Sequence, residues 1–391
     1  MEQQVKEFGS LTEVLEDLDH LGITGAQRYR AVSGYLSMKA RYADVPISGA
    51  FELTPLCNLD CKMCYVHLTH NQIRKDERLL SVAEWKSIIK QAVDAGMMYA
   101  TLTGGECMTY PAFKEVYSYI CSLGIQPDIL TNGRLLTAEM VQFLSQNHPG
   151  VMQVSLYGSC EDAYEKVTGH RAFQQVYDGI LRAKAAGLNV IVSITPNRFM
   201  QDDTQQLLQT LYALNVPYVI GASTLPARPE TQRDIDDYAV DMDAFFEIHR
   251  LNEEYCKTLP QSAPARTVPR YIPAVRKELQ GLQCGGAHSS FHVTWKGELC
   301  PCIPFATAVH SSMLDKTFAD AWKQIREQML TYKPPKECGN CKLREYCVTC
   351  AGEKGMNELN GQLNPRVCEM LRKKIELGKI NVDKSVLNDM P

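Results

Sequence analysis

Residues 51–65 read Phe51-Glu52-Leu53-Thr54-Pro55-Leu56-Cys57-Asn58-Leu59-Asp60-Cys61-Lys62-Met63-Cys64-Tyr65, an apolar strand-like opening that runs into three cysteines spaced C-x3-C-x2-C. Three thiolates so close in sequence can grip three corners of an iron–sulfur cube, and with no fourth cysteine in the run one iron keeps an open position. A single zinc ion is the bland alternative, but zinc takes four tetrahedral ligands and usually draws cysteines in C-x2-C pairs.

Downstream the chain alternates short β-rich runs with helical stretches. Strands are expected near Ala50–Thr54, Tyr99–Thr103, Pro127–Thr131, Met152–Leu156, Val190–Thr195 and Tyr218–Ala222. Helices are expected over SVAEWKSIIKQAVDAG, PAFKEVYSYICSLG, TAEMVQFLSQN, AFQQVYDGILRAKAAG and DTQQLLQTLYALN, several of them ending at a glycine suited to a left-handed cap. Strand–helix units in series imply right-handed crossovers and a parallel α/β sheet, with ligands at the carboxyl ends of the strands. Periodicity alone leaves open whether that sheet closes into a barrel.

The cysteine spacing, the strand before it and Tyr65 after it resemble the cluster motif of the radical S-adenosylmethionine (SAM) enzymes. The resemblance implies a [4Fe–4S] cluster on Cys57, Cys61 and Cys64 whose open iron chelates SAM. Reductive cleavage of SAM then yields a 5′-deoxyadenosyl radical that abstracts hydrogen from a substrate. It also selects a partial (β/α)6 TIM-like barrel, open on one side. Strand two ends in Thr103-Gly104-Gly105-Glu106, similar to the family's GGE motif for the methionine amine; glycines admit close backbone approach, and the carboxylate can accept from an ammonium. By the same resemblance Ser155 contacts ribose, Lys166 pairs with the SAM carboxylate or is a surface lysine, and Thr195 and Asn197 contact ribose or methionine. Tyr65 joins this cofactor-binding set. Strand three ends in Thr131-Asn132-Gly133, a turn that places polar groups at the barrel mouth.

Eight of the fifteen cysteines lie in the last third of the chain: Cys284, Cys300, Cys302, Cys338, Cys341, Cys347, Cys350 and Cys368. The run ECGNCKLREYCVTCAG has the spacing C-x2-C-x5-C-x2-C, and with CGGAHSSFHVTWKGELCPC upstream it resembles the SPASM extension that binds two auxiliary [4Fe–4S] clusters. That likeness implies a second auxiliary cluster on Cys338, Cys341, Cys347 and Cys368, and a first on Cys284, Cys302 and Cys350. Cys300 supplies the first cluster's fourth ligand, or an iron there stays open for substrate. With the N-terminal trio, three clusters are expected. Paired C-x2-C motifs also suit zinc, so a zinc or electron-transfer protein without radical chemistry stands as the reading from another class. Cys107, Cys121, Cys160 and Cys256 read as small apolar fillers, Cys107 with the option of facing the cavity.

Length and composition agree with this layout. A chain of 391 residues exceeds one ordinary domain. The expected division is an N-terminal helical segment 1–48, a barrel core 49–230, a helical and proline-rich bridge 231–283 and a SPASM domain 284–391. Cysteines clustered in this way, without a signal peptide or long apolar run, read as metal centres in a reducing cytoplasm, away from the membrane. A net charge of −4 gives no basic surface for bulk nucleic-acid binding.

SPASM-bearing enzymes mostly modify peptides or proteins, so the expected substrate is a ribosomally made peptide receiving a crosslink or a two-electron oxidation. The electron would come from a flavodoxin or ferredoxin. The short leader keeps a small-molecule substrate, an amino sugar or cofactor precursor, as the alternative. Both cysteine regions resemble the anaerobic sulfatase maturases, but those carry an aspartate base directly after the cysteine matched by Cys302, where this chain has Ile303. Formylglycine formation is therefore not expected, and the catalytic acid and base are not assigned; Tyr157, His170 and His292 are the side chains considered.

Overall fold

Between residues 48 and 220 the chain builds strand after strand in one direction, returning each time through a helix. The computed structural model describes residues 5–74, 77–221, 225, 227–258, 269–274, 284–333, 336–339, 341–347, 350, 365–380, 382–383 and 387. A strand β1 (Val5–Phe8) precedes α1 (Leu11–His20) and α2 (Gly25–Ala43). Then come β2 (Ser48–Glu52), α3 (Val82–Asp94), β3 (Tyr99–Thr103), α4 (Phe113–Ser122), β4 (Asp128–Thr131) and α5 (Ala138–Gln146). The series continues with β5 (Met152–Ser155), α6 (Glu161–Thr168), α7 (Phe173–Ala185), β6 (Val190–Ile194), α8 (Thr204–Leu214) and β7 (Tyr218–Ile220). Beyond lie α9 (Ile235–Tyr238), α10 (Met242–Thr258), β8 (Arg270–Pro273), β9 (Ser290–Val293), β10 (Glu298–Cys300), β11 (Ser311–Ser312), α11 (Phe318–Leu330), α12 (Lys336–Gly339) and α13 (Pro365–Glu376).

The helices start where local chemistry directs. Ser81 and Glu84 form a reciprocal capping box at α3, Thr137 caps α5 through the Met140 N–H, and Gly169 ends α6 in the left-handed region at φ 72°. Alternation then sorts the strands. Phe51, Leu102, Ile129, Met152 and Val192 sit in one core cluster with Trp85, Ile88, Tyr117, Val176 and Leu207 of the covering helices. The opposite face carries Glu52, Thr103, Leu130, Gln153, Ser155 and Ser193. Leu130 is 37% exposed in the middle of the sheet, because this face lines a lumen.

One nine-stranded sheet runs β11-β10-β9-β2-β3-β4-β5-β6-β7, parallel from β2 to β7. The six expected strands all form, each within two residues of its expected ends. Among the described residues nothing pairs β7 back to β2, so the barrel is partial and open, an α/β fold of the TIM-like kind.

Two features lie outside what periodicity announced. The segment expected to open a separate domain returns to the first sheet: β9 pairs parallel with β2, with Ser48 opposite Ser290, and Gly49 leaves room for the Phe291 ring. At the other end, β1 pairs parallel with β8, and Val14, Leu18, Tyr35 and Tyr271 close a small core between α1, α2 and that pair. Of the proline-rich run 259–273, residues 259–268 lie outside the described residues.

Candidate cofactor and metal site

The cysteine loop begins where β2 ends and is bolted to the end of β3. Gly105 N–H donates to the Thr54 carbonyl at 2.8 Å and Glu106 N–H to the Leu56 carbonyl at 2.9 Å. A Cβ on Gly105 would meet Leu56 O at 2.4 Å, and one on Gly104 would meet Thr54 O at 2.5 Å. The glycines expected to admit a ligand thus admit this protein backbone, which seats the loop over the strand ends.

Glu106 also does something different from the expectation. Its carboxylate is buried and already accepts from the Thr131 hydroxyl at 2.9 Å, the Asn132 N–H at 2.7 Å and the Met108 N–H at 3.2 Å. Burial pushes its pKa up, against those hydrogen bonds. With its lone pairs taken, the carboxylate works as a pin for the turn after β4. Asn132 passes that order on, donating Nδ2–H to Asn58 Oδ1 at 2.7 Å and to Cys57 Sγ at 3.4 Å.

The three thiols suit an iron–sulfur cluster. Burial pushes Cys57 up to about 12 and raises Cys61 and Cys64 as well, so a cation must replace the protons for thiolates to form. Besides Asn132, N–H groups point at the sulfurs from Leu59 to Cys57 at 3.4 Å and from His67 to Cys64 at 3.2 Å, the kind of donors that tune a bound cluster. Among the described residues no three His, Cys, Asp or Glu side chains converge as donors for a single ion.

Ser155 and Thr195 flank the Tyr157 hydroxyl, which lies within electrostatic reach of Cys61 and Cys64. Burial, first of all, raises the Tyr157 pKa. Three other expected contacts sit elsewhere. Lys166 makes an exposed ion pair with Asp202 at 3.0 Å, the surface lysine of the alternative reading. Asn197 is buried and caps the following turn, accepting from Phe199 N–H at 3.1 Å and donating to Thr195 O at 3.0 Å. Tyr65 offers its backbone carbonyl to the Arg228 N–H at 3.0 Å, while burial pushes its hydroxyl up to about 12.

Sequence reasoning named His292 but missed its partners in the lumen wall, Glu52 and Arg228. Arg228 forks onto Glu52 with two 2.9 Å bonds, and His292 Nε2 lies 3.3 Å from Glu52 Oε2. Burial would raise the Glu52 carboxyl, but Arg228 first and then His292 override it and hold it at about 2. Residues 52 and 228 share no local pattern; the FELT and ARPE strings held the only hint, a charge inside each apolar or proline-rich stretch. This cluster stands between the two cysteine groups, since the Tyr65 hydroxyl senses Cys64, Arg228, Glu52 and Cys302 alike.

In the C-terminal group, Cys302 lies within electrostatic reach of Cys284 and Cys350. Cys300 is wholly buried in β10, its thiol on the His292 carbonyl at 3.3 Å. Cys338, Cys341 and Cys347 follow one another through tight turns, Cys341 N–H reaching Cys338 O at 3.4 Å and Cys347 N–H reaching Arg344 O at 3.2 Å. Cys368 stands on α13. Cys107 is buried, its thiol 3.5 Å from Leu130 O and 3.8 Å from Glu106 Oε1.

Residues 51–211 match the family model described as the Radical SAM superfamily. The chain is 23% identical to an AdoMet-dependent heme synthase of Methanosarcina barkeri over 78% of this chain and 89% of the relative. It is 24% identical to the subtilosin biosynthesis protein AlbA of Bacillus subtilis, over 80% and 68% of the two chains. Its fold is similar to that of Streptococcus suis SuiB bound to the precursor peptide SuiA, with TM-score 0.62, 15% identity and coverage of 92% and 80%. No described helix is long and apolar enough to cross a membrane.

Proposed function

We propose, from the premise that this chain is a radical SAM enzyme through its residues 51–211, that it modifies a ribosomally made peptide by a crosslink or a two-electron oxidation. The observation that carries this reading is the trio Cys57, Cys61 and Cys64 on the loop after β2, across the Glu52–Arg228 pair from Cys302. When bound, a [4Fe–4S] cluster and SAM supply the electron and the hydrogen-abstracting radical.

The chain's own residues do the rest. Leu59, His67 and Asn132 orient the sulfurs, Tyr157 stands between Ser155 and Thr195, and the Glu52–Arg228–His292 cluster keeps the lumen wall polar but dry. Cys284, Cys302 and Cys350, with Cys300 or an open position, serve a first auxiliary cluster. Cys338, Cys341, Cys347 and Cys368 serve a second, making three in all. Between the cysteine loop's tail and the β9–β10 hairpin lies a cleft of about 300 Å3 lined by Leu68, Arg228, Trp295, Lys296 and His310, room for a peptide segment to reach the lumen. A flavodoxin or ferredoxin in the cytoplasm would deliver the electron.

The names of AlbA and of the SuiB–SuiA complex favour a peptide substrate. The heme synthase relative favours a second reading, a small cofactor precursor. The test is anaerobic purification of the chain and of the triple variant Cys57→Ala, Cys61→Ala, Cys64→Ala. SAM-dependent release of 5′-deoxyadenosine is expected from the first and absent from the second, with C-terminal iron retained. Release by the variant, or none by the unaltered protein, overturns the reading. Loss of two hydrogens from a small peptide encoded beside the gene, read by mass spectrometry, selects peptide over precursor.

A further inference from the structure

The segment after β7 runs across the cysteine loop and is tied to it repeatedly. Arg228 N–H donates to Tyr65 O at 3.0 Å, and Gln72 Nε2–H donates to Glu230 O at 3.3 Å and to Thr231 O at 3.2 Å. Arg233 then reaches into the loop itself: Nη1–H donates to Cys64 O at 3.1 Å and Nη2–H to Asp60 Oδ1 at 2.7 Å. Its position is set from both sides. Thr231 closes a turn on Arg228 O at 2.7 Å, Gln232 sits in the left-handed region at φ 58°, and Asp234 caps α9.

The guanidinium is only 22% exposed, so water screens it incompletely. Through its bonds to the Cys64 carbonyl and to Asp60, next to Cys61, it places a positive charge beside two of the three cysteines. Asp60 brings a negative charge directly before Cys61, and Arg228 stands at the Tyr65 carbonyl directly after Cys64. His67, with Nδ1 3.6 Å from Asp60, also faces this loop, as do Tyr157 and Tyr164 near Cys61, Tyr238 near Cys64, Glu106 near Cys57 and Arg134, whose Nη1–H donates to the Asn58 carbonyl.

We propose that Arg233 is a positioning residue that clamps the cysteine loop from the segment after β7 and raises the reduction potential of the centre held by Cys57, Cys61 and Cys64. The proposal rests on the reading of the trio as a cluster site. Reduction adds negative charge to such a centre, and a fixed cation beside two of its ligands stabilises the reduced state more than the oxidised one. Asp60, on the same hydrogen bond, must act with the opposite sign.

Arg233→Gln and Asp60→Asn each keep hydrogen-bonding capacity and remove one charge, and Arg233→Lys keeps the charge while losing the fork. Each is reconstituted as the full chain, assayed for iron and sulfide, and titrated with dithionite while the electron paramagnetic resonance signal that changes on adding SAM is followed. The expected result is iron retained, a potential lower than the unaltered protein's in Arg233→Gln, higher in Asp60→Asn, and close to it in Arg233→Lys. Shifts of the same sign in the first two, no shift, or equal loss of iron from both overturns the proposal, since a purely structural clamp predicts those outcomes. An unaltered protein without a SAM-responsive signal overturns the cluster reading itself, and the proposal with it.

Discussion

The two cysteine regions of this molecule are built on different terms. Cys57 and Cys61 pack against the main barrel core, and their loop is fastened to β3, to the turn after β4 and to the segment after β7. Cys341 and Cys347 pack against a cluster whose buried members are Leu343, Leu371 and Ile375, among elements such as α12, four residues long, and a 3-10 turn at Arg344–Tyr346. Helical pieces as short as α12 do not persist alone in water, and among the described residues this cluster is far smaller than the barrel core. The barrel thus presents a preformed seat for a metal centre, whereas the described C-terminal elements would gain order from the clusters proposed for their cysteines.

Stripping iron with a chelator tests this contrast most severely. Residues 336–380 are expected to become open to limited proteolysis while the barrel keeps its thermal transition. Simultaneous loss of both, or persistence of both, breaks the comparison.

A smaller but still large effect is expected inside the barrel. Glu52→Gln leaves Arg228 charged and unpaired in the lumen wall, at a cost of about 3–5 kcal/mol in urea unfolding. The folded Glu52 carboxyl is held at about 2 against a usual 4.5, so its contribution is fully present above pH 4.5 and fades as pH falls toward 2. The variant's deficit should therefore narrow with acid over that window. A deficit independent of pH would separate Glu52 from the stability of the seat.

The smallest effect sharpens the comparison at the barrel floor, at the opposite end of β4 from the contact between Asn132 and Cys57. There Asp128 lies beside Tyr29 of α2 and accepts from Val151 N–H at 2.8 Å, and burial raises its pKa to about 6. A raised carboxyl stabilises the fold while protonated and loses that contribution as pH rises from about 4 through 6. Asp128→Asn stays neutral, so it should be more stable than the unaltered chain by roughly 2 kcal/mol at pH 7.5 and equal to it at acid pH. The gain must be the same with and without iron if the barrel stands by itself.

Much of this was legible in the chain because the relevant signals are local. The strands at 99–103 and 190–194 follow from short β-rich runs, and the helix over 82–94 follows from a helical stretch that ends at a glycine. Cysteine spacing announced the trio for the same reason. The Glu52–Arg228 fork joins residues 176 apart in the chain, and β9 finds β2 across nearly the whole barrel, so no window of sequence holds both partners. Arg233 looked like one more charge in a proline-rich loop. Lys166, read as a cofactor contact, is one helical turn from Asp162 on an exposed face of α6, a position its spacing did not distinguish from an inward one.

What the amino-acid order determined alone was the kind of each element and the three sulfurs within ligand spacing, since helix period, strand period and loop length act over a few residues. What folding in three dimensions decided was which groups those elements face. It turned Glu106 into a pin and the two glycines into a berth for backbone, and it put Arg228 and Arg233 beside the cysteine loop. Desolvation and charge pairing depend on neighbours brought in from distant parts of the chain, and only the closed packing of the sheet and its helices selects them.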